Sequence, residues 1–150
     1  MTTRKTSRKD LTARVAPLLP ERRQPESLRL RRVSPTLSVR DVQQSLAFYR
    51  DVLGFVPKDV WQEGGGLRGV ELIAGSVTVI LLQDDGNVGD RAKGVGLRLW
   101  FRMAQDVEAL ADRVRARGGV VELGTERQGG AQFLTVTDPD GFTLTFAQER

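Results

Sequence analysis

Arg98, Trp100 and Arg102 alternate with Leu99, Phe101 and Met103 along one short stretch of the chain. In a strand such alternation separates two faces. Turning the guanidiniums inward would bury two unpaired charges, at a cost of roughly several kcal/mol or more. The apolar set therefore belongs to the core, and Arg98, Trp100 and Arg102 belong to the other face. An indole between two guanidiniums offers a surface on which a planar organic molecule stacks, with a carboxylate or phosphate paired at its edge. The same alternation sets Phe133 and Thr135, Thr143 and Thr145, and Ser34, Thr36 and Ser38 on single faces of their own stretches. Trp61, just ahead of Gly64-Gly65-Gly66, is placed to form a wall. Together these residues have the makings of a pocket: aromatic area for affinity, with hydroxyls and guanidiniums for orientation. The competing reading is structural, with Arg98 and Arg102 paired to Glu71 or lying on an outer edge, Trp100 packed in a core or dimer contact, and Trp61 a rim aromatic.

What the chain lacks narrows the chemistry further. It has no histidine and no cysteine, so imidazole and thiolate are absent as metal ligands, bases or nucleophiles. The glycine run lacks the residues that make a phosphate cradle and reads as a hairpin tip. No apolar stretch approaches the roughly 20 residues that cross a bilayer; the longest, Val77 to Leu82, is interrupted by Thr78.

The elements that must position these residues follow from pattern. VSPTLSV (33–39) reads as a half-buried strand with Val33, Leu37 and Val39 on its apolar face. Asp41 caps a helix whose apolar positions Val42, Leu46, Tyr49, Val52 and Leu53 recur at helical spacing until Gly54 stops it. Strands are expected at 55–62, 68–73 and 77–83. The order then recurs: a strand at 96–103, a helix from Asp106 to Arg117, Gly118-Gly119, and strands near 120–123, 131–137 and 142–147. The shift that lays Asp41-Val42 on Asp106-Val107 also lays Gly54 on Gly119 and Val77-Thr78-Val79 on Phe142-Thr143-Leu144. The chain is read as an internal duplication.

The net charge of +4 is uneven. Residues 1–32 hold 10 Lys/Arg against 3 Asp/Glu, and the remainder holds 13 against 16. A basic, solvated extension over 1–32 is expected to precede one mildly acidic domain over 33–150, with module one at 33–84 and module two at 95–148. Nucleic acid is an expected partner only through that extension. The absence of cysteine suits a cytoplasmic location.

DVQQSLAFYRDVLGF (41–55) resembles the first-helix signature of the glyoxalase/bleomycin-resistance/extradiol-dioxygenase superfamily, and DPDGFTLTF (138–146) resembles its last hairpin. The resemblance implies an α+β fold of two βαβββ modules forming a pseudo-symmetric curved sheet around an open cleft, and a homodimer. Both motifs also have structural grounds: Phe48, Tyr49 and Leu53 give the helix an apolar face, and Asp138-Pro139-Asp140-Gly141 is a turn.

Enzymes of the superfamily bind a divalent metal through four strand positions, which the resemblance carries to Ser34, Ile80, Arg98 (or, without an extra residue near Ala104, Leu99) and Thr145. None is a metal-binding residue type here. The expectation is a protein without metal or cofactor that sequesters an aromatic or anionic compound, with Ser34, Thr36, Trp61, Ile80, Arg98, Trp100, Arg102, Phe133 and Thr145 lining the cleft. Two alternatives stay open: a metal-independent enzyme using Arg98 as an oxyanion stabiliser and Glu71 as a base, and an interaction module acting through the basic extension.

Overall fold

The computed structural model describes residues 28–86, 92–125 and 132–149. Module one contains β1 (Thr36–Val39), α1 (Val42–Ala47, continuing as a π-helical stretch over Phe48–Leu53), β2 (Val56–Glu63), β3 (Gly66–Ala74) and β4 (Val77–Gln83). Module two contains β5 (Arg98–Met103), α2 (Val107–Ala116), β6 (Val121–Thr125), β7 (Gln132–Thr137) and β8 (Thr143–Gln148). Each module forms its own four-stranded sheet, in the orders β1-β4-β3-β2 and β5-β8-β7-β6. β1 runs parallel to β4 and β5 to β8, while the remaining pairs are antiparallel. A parallel pair cannot be joined by a tight turn; the helix and the intervening hairpin supply the crossover.

The duplication extends to the helix caps. Asp41 Oδ1 accepts the N–H groups of Gln43 (3.0 Å) and Gln44 (3.2 Å), while Gln83 Oε1 accepts that of Val42 (3.0 Å). At the repeated positions Asp106 accepts from Glu108 (3.1 Å) and Gln148 from Val107 (3.3 Å). The repeat slips at one place. Thr36 pairs with Ile80, whereas Thr145, the repeat of Ile80, pairs with Trp100. One more residue therefore separates β5 from its cap, Ala104 and Gln105 standing where module one has Arg40. Leu99, Phe101 and Met103 consequently pack on the core, and Arg98, Trp100 and Arg102 are exposed.

Two elements differ from expectation. The first strand begins at Thr36, because Pro35 has no N–H for the ladder. Pro35 still accepts from Ile80 N–H (2.9 Å), but Val33, expected on the apolar face, is 83 % exposed. The first helix widens to π geometry at Phe48, a local change that hydrophobic spacing does not encode. The reading of a basic extension rests mainly on residues 1–27, which lie outside the described residues.

Both sheets bury the face that carries their helix, and the two buried faces contribute to one core. Phe55 meets Phe101 edge-on at 6.2 Å, and Phe101 stacks on Phe146 at 5.1 Å. Across the module boundary the Tyr49 hydroxyl donates to Asp138 Oδ2 (2.8 Å), and Asp138 Oδ1 accepts the N–H groups of Asp140 (2.9 Å) and Phe142 (2.8 Å). Asp140 in turn accepts from Arg40 N–H (2.9 Å) and Ser45 Oγ (3.2 Å). On the helix side, Arg113 donates to the Val52 (3.0 Å) and Asp51 (3.3 Å) carbonyls. A buried ion pair, Lys93 Nζ to Asp84 Oδ2 at 2.5 Å, ties together two points of the segment joining the modules.

Burial holds the Asp138 carboxyl above the usual aspartate range, although the Tyr49 hydroxyl and the two turn N–H groups pull the other way. Tyr49 is itself pushed up, first by burial and then by Asp138, so its hydroxyl keeps its proton and remains a donor. Tyr49→Phe, which leaves one oxygen of a buried carboxylate without its donor, is expected to lower stability by about 1–3 kcal/mol in urea unfolding. A raised folded-state pKa means that the native protein binds the proton more tightly than the unfolded chain does. The stability of the wild type relative to Asp138→Asn is therefore expected to rise as pH falls through the raised pKa toward the ordinary aspartate value. A difference that stays flat with pH would show that the carboxyl is unperturbed.

Candidate functional site

The faces turned away from the core carry nearly all the singled-out residues, in rows fixed by strand register. On the second sheet, Arg98 lies beside Thr143 and Thr137. The next row is Trp100, Thr145, Thr135 and Glu122, and the one after it joins Arg102, Ala147 and Phe133. Trp100, 47 % exposed, meets Phe133 with ring centroids 5.9 Å apart and planes tilted by 44°. Arg98 and Arg102 flank this pair on the same strand, both exposed, and neither has an ion-pair partner among the described residues. Thr145 sits on the inner strand β8 and is fully buried, its hydroxyl 3.2 Å from that of Thr135. It is the ladder neighbour of Trp100.

On the first sheet, Thr36, Ile80, Glu71 and Asp59 share a row, and Ser38, Leu82, Gly69 and Trp61 share the next. Ser34 is exposed ahead of β1. Glu71 pairs with Lys58 (3.5 Å), a neighbour on β2, and not with Arg98 or Arg102. The sequence offered several acids and cations but no means of telling which strands would be adjacent. No hydrogen bond, ion pair or ring contact among the described residues joins the singled-out set of one sheet to that of the other.

Gly69 was not among the residues singled out, yet it seats Trp61. A Cβ at this position would lie 2.8 Å from Trp61 Cε3 and 2.7 Å from Leu82 Cδ2. Its φ is not positive, so close approach, not backbone conformation, requires the glycine. A lone glycine inside a strand pattern is the signal that marks such a place.

The positions carried over for the superfamily's metal hold a hydroxyl (Ser34), a hydrocarbon (Ile80), a guanidinium (Arg98) and a buried hydroxyl (Thr145). Divalent transition metals need imidazole, carboxylate or thiolate donors in sets of three or four. These residues do not fit one. Among the described residues no group of three or more Asp, Glu, His or Cys converges.

The fold and the open faces define a protein of two paired βαβββ modules whose second sheet carries an exposed indole flanked by guanidiniums. The profile of the Glyoxalase/Bleomycin resistance protein/Dioxygenase superfamily matches residues 30–146, and the chain belongs to that family. It is 30% identical over 119 residues to lactoylglutathione lyase GLX1 of Arabidopsis thaliana, an alignment that takes in 73% of this chain and 41% of that protein. The chain thus spans about two fifths of the relative's length. Its fold is similar to that of TnmS3, an antibiotic binding protein from Streptomyces sp. CB03234, at a TM-score of 0.65 and 21% identity, over 83% of this chain and 100% of that one. It is also similar to TioX from Micromonospora sp. ML1, at a TM-score of 0.64 and 18% identity, over 78% and 97% of the two chains. No helix among the described residues is long and apolar enough to cross a membrane.

Gly69→Val is expected to push the Trp61 indole off the sheet. Fluorescence of the Trp100→Phe background, in which Trp61 is the remaining tryptophan of two, should shift to the red with little change in far-UV circular dichroism. An unshifted spectrum would mean that Trp61 does not rest on Gly69.

Proposed function

We propose that this protein is a metal-free binding protein that sequesters a small aromatic or anionic compound. The observation that carries the reading is the exposed Trp100 ring against the half-buried Phe133, set between two guanidiniums without ion-pair partners among the described residues. Apolar surface that is contiguous and rimmed by polar groups, unlike a lone exposed side chain, marks interaction and ligand-binding sites. A planar ring stacked on Trp100, with its carboxylate held bidentately by Arg98 or Arg102, would use both groups. Residue types unsuited to metal at Ser34, Ile80, Arg98 and Thr145 support binding over metal-assisted turnover. The fold likeness to an antibiotic binding protein points the same way. A symmetric homodimer completes the cleft by bringing the Thr36, Ile80 and Trp61 face of one copy toward the Trp100 face of the other, which covers apolar surface that a lone chain exposes at Trp61, Leu82 and Trp100. We place the protein in the cytoplasm, where a chain without cysteine needs no oxidising compartment. The enzyme reading, which needs Glu71 opposite Arg98, draws no support from the Glu71–Lys58 pair.

Thermal unfolding separates these readings, because a ligand that binds only the native state stabilises it by RT ln(1 + [L]/Kd). No shift is expected with Ni²⁺, Mn²⁺, Fe²⁺ or Zn²⁺ against EDTA, and a saturable shift is expected with planar aromatic carboxylates such as 2-naphthoate. Trp100→Ala should weaken that binding by about tenfold, in keeping with roughly 0.5–1.5 kcal/mol for an aromatic pair beyond area burial. A saturable shift with any of the metals would overturn the metal-free reading. A strict monomer by light scattering would remove the dimer.

A further inference from the structure

The pseudo-symmetry relates two junctions, each between one module's helix and the other module's hairpin turn, and they are not alike. In the first, Ser45 and Tyr49 of α1 and its π continuation bond to Asp140 and Asp138. In the second, the repeat puts Leu110 and Val114 of α2 where Ser45 and Tyr49 stand, and Ile73 and Gly75 where Asp138 and Asp140 stand. Neither hydrogen-bonding partner is present, and the space is not closed. A groove of about 820 Å³ runs between α2, the β3–β4 turn and the end of β5, within the size range of small-molecule pockets.

Phe55, Phe101 and Phe146 line the groove as a continuous ring train, edge-on at 6.2 Å and stacked at 5.1 Å. Met103 and Leu110 add apolar side chains beside them. The charged lining residues balance, Arg102 and Arg113 against Asp106 and Glu149. Arg113 is already committed to the Val52 and Asp51 carbonyls, and Asp106 to capping α2. Aromatic walls with a rim whose charges balance recognise ring systems without net charge.

We propose that this groove is a second binding site, for an uncharged aromatic molecule, built on the Phe55, Phe101 and Phe146 rings and distinct from the Trp100–Phe133 surface, with Arg102 at the border of the two. The two faces select by charge. The test uses N-phenyl-1-naphthylamine, which is uncharged and fluoresces on leaving water, beside its anionic analogue 1-anilinonaphthalene-8-sulfonate. The neutral probe should bind the full chain saturably. Ala109→Phe and Ala104→Phe each add a ring into the groove from an exposed position and should each weaken that binding by tenfold or more. Trp100→Ala should leave it within twofold. Urea unfolding confirms that each variant is folded, and either filling variant alone suffices if the other is not. Absence of saturable binding, binding indifferent to the filling variant, or binding lost with Trp100→Ala would each overturn the second site. Because the open-face reading is tested with an anionic carboxylate and Trp100, its failure would leave this result standing.

Discussion

A carboxylate that must be held away from water sets the arrangement of this molecule. Asp138 opens the turn before β8, and its Oδ1 takes two backbone N–H groups of that turn while its Oδ2 takes the Tyr49 hydroxyl from the other module. Hydrogen bonds to charged acceptors contribute about 1.5–3 kcal/mol each, and an unmade one leaves a desolvation penalty of similar size. Turn and helix are therefore interdependent: the turn orients the carboxylate, and the carboxylate fixes where the helix of the other module lies. Asp140 repeats the device two residues on, with Arg40 and Ser45 as its donors. Pro139 restricts φ, and Gly141 at φ 94° provides the left-handed residue that ends the turn.

Fixing one junction in this way leaves the rest of the duplication free to diverge. Caps and ladder registers are shared between the modules, because they answer to backbone hydrogen bonding that any copy of the unit must satisfy. The outward faces answer only to solvent or ligand and are not shared. The repeat of the Thr36–Ile80 pair is the Trp100–Thr145 pair, an aliphatic and hydroxyl surface on one sheet and an indole with flanking guanidiniums on the other. The extra residue between β5 and α2 permits this. Without it, the arginines of β5 would turn into the core and the leucine and phenylalanine would turn out.

The architecture was legible because most of it is local. Alternation on β5, the Asp41 and Asp106 caps, and the Asp138–Gly141 turn each depend on neighbours a few residues away, and each holds in the structure. β1 starts later than alternation implies, because Pro35 is a missing donor. The π-helical stretch leaves no mark in the sequence, because its apolar spacing also satisfies an α-helix. Which residues of the candidate site meet was less legible still. Glu71 found Lys58 because β2 and β3 are adjacent, a fact of topology, not of spacing. Gly69 carried a signal of its own, a glycine within a strand, but its meaning depends on Trp61 lying across the ladder.

The two sheets also bear differently on what a chain of this family can do. A metal ligand works by donor type, and an isoleucine or a guanidinium offers a divalent ion no donor while serving the strand equally well. A stacking surface works by area and tolerates neighbours of many kinds, provided that the floor beneath it is rigid. Here the row that continues from Trp100 holds the Thr135–Thr145 hydroxyl pair on two adjacent strands, with Thr145 fully buried. A ligand donor at Thr145 would have to point outward and leave room for an ion. A floor residue has to fill that room and satisfy its own hydroxyl against a neighbour. The second arrangement is the one present: Thr145 is fully buried and its hydroxyl meets that of Thr135 at 3.2 Å, in the same row as Trp100.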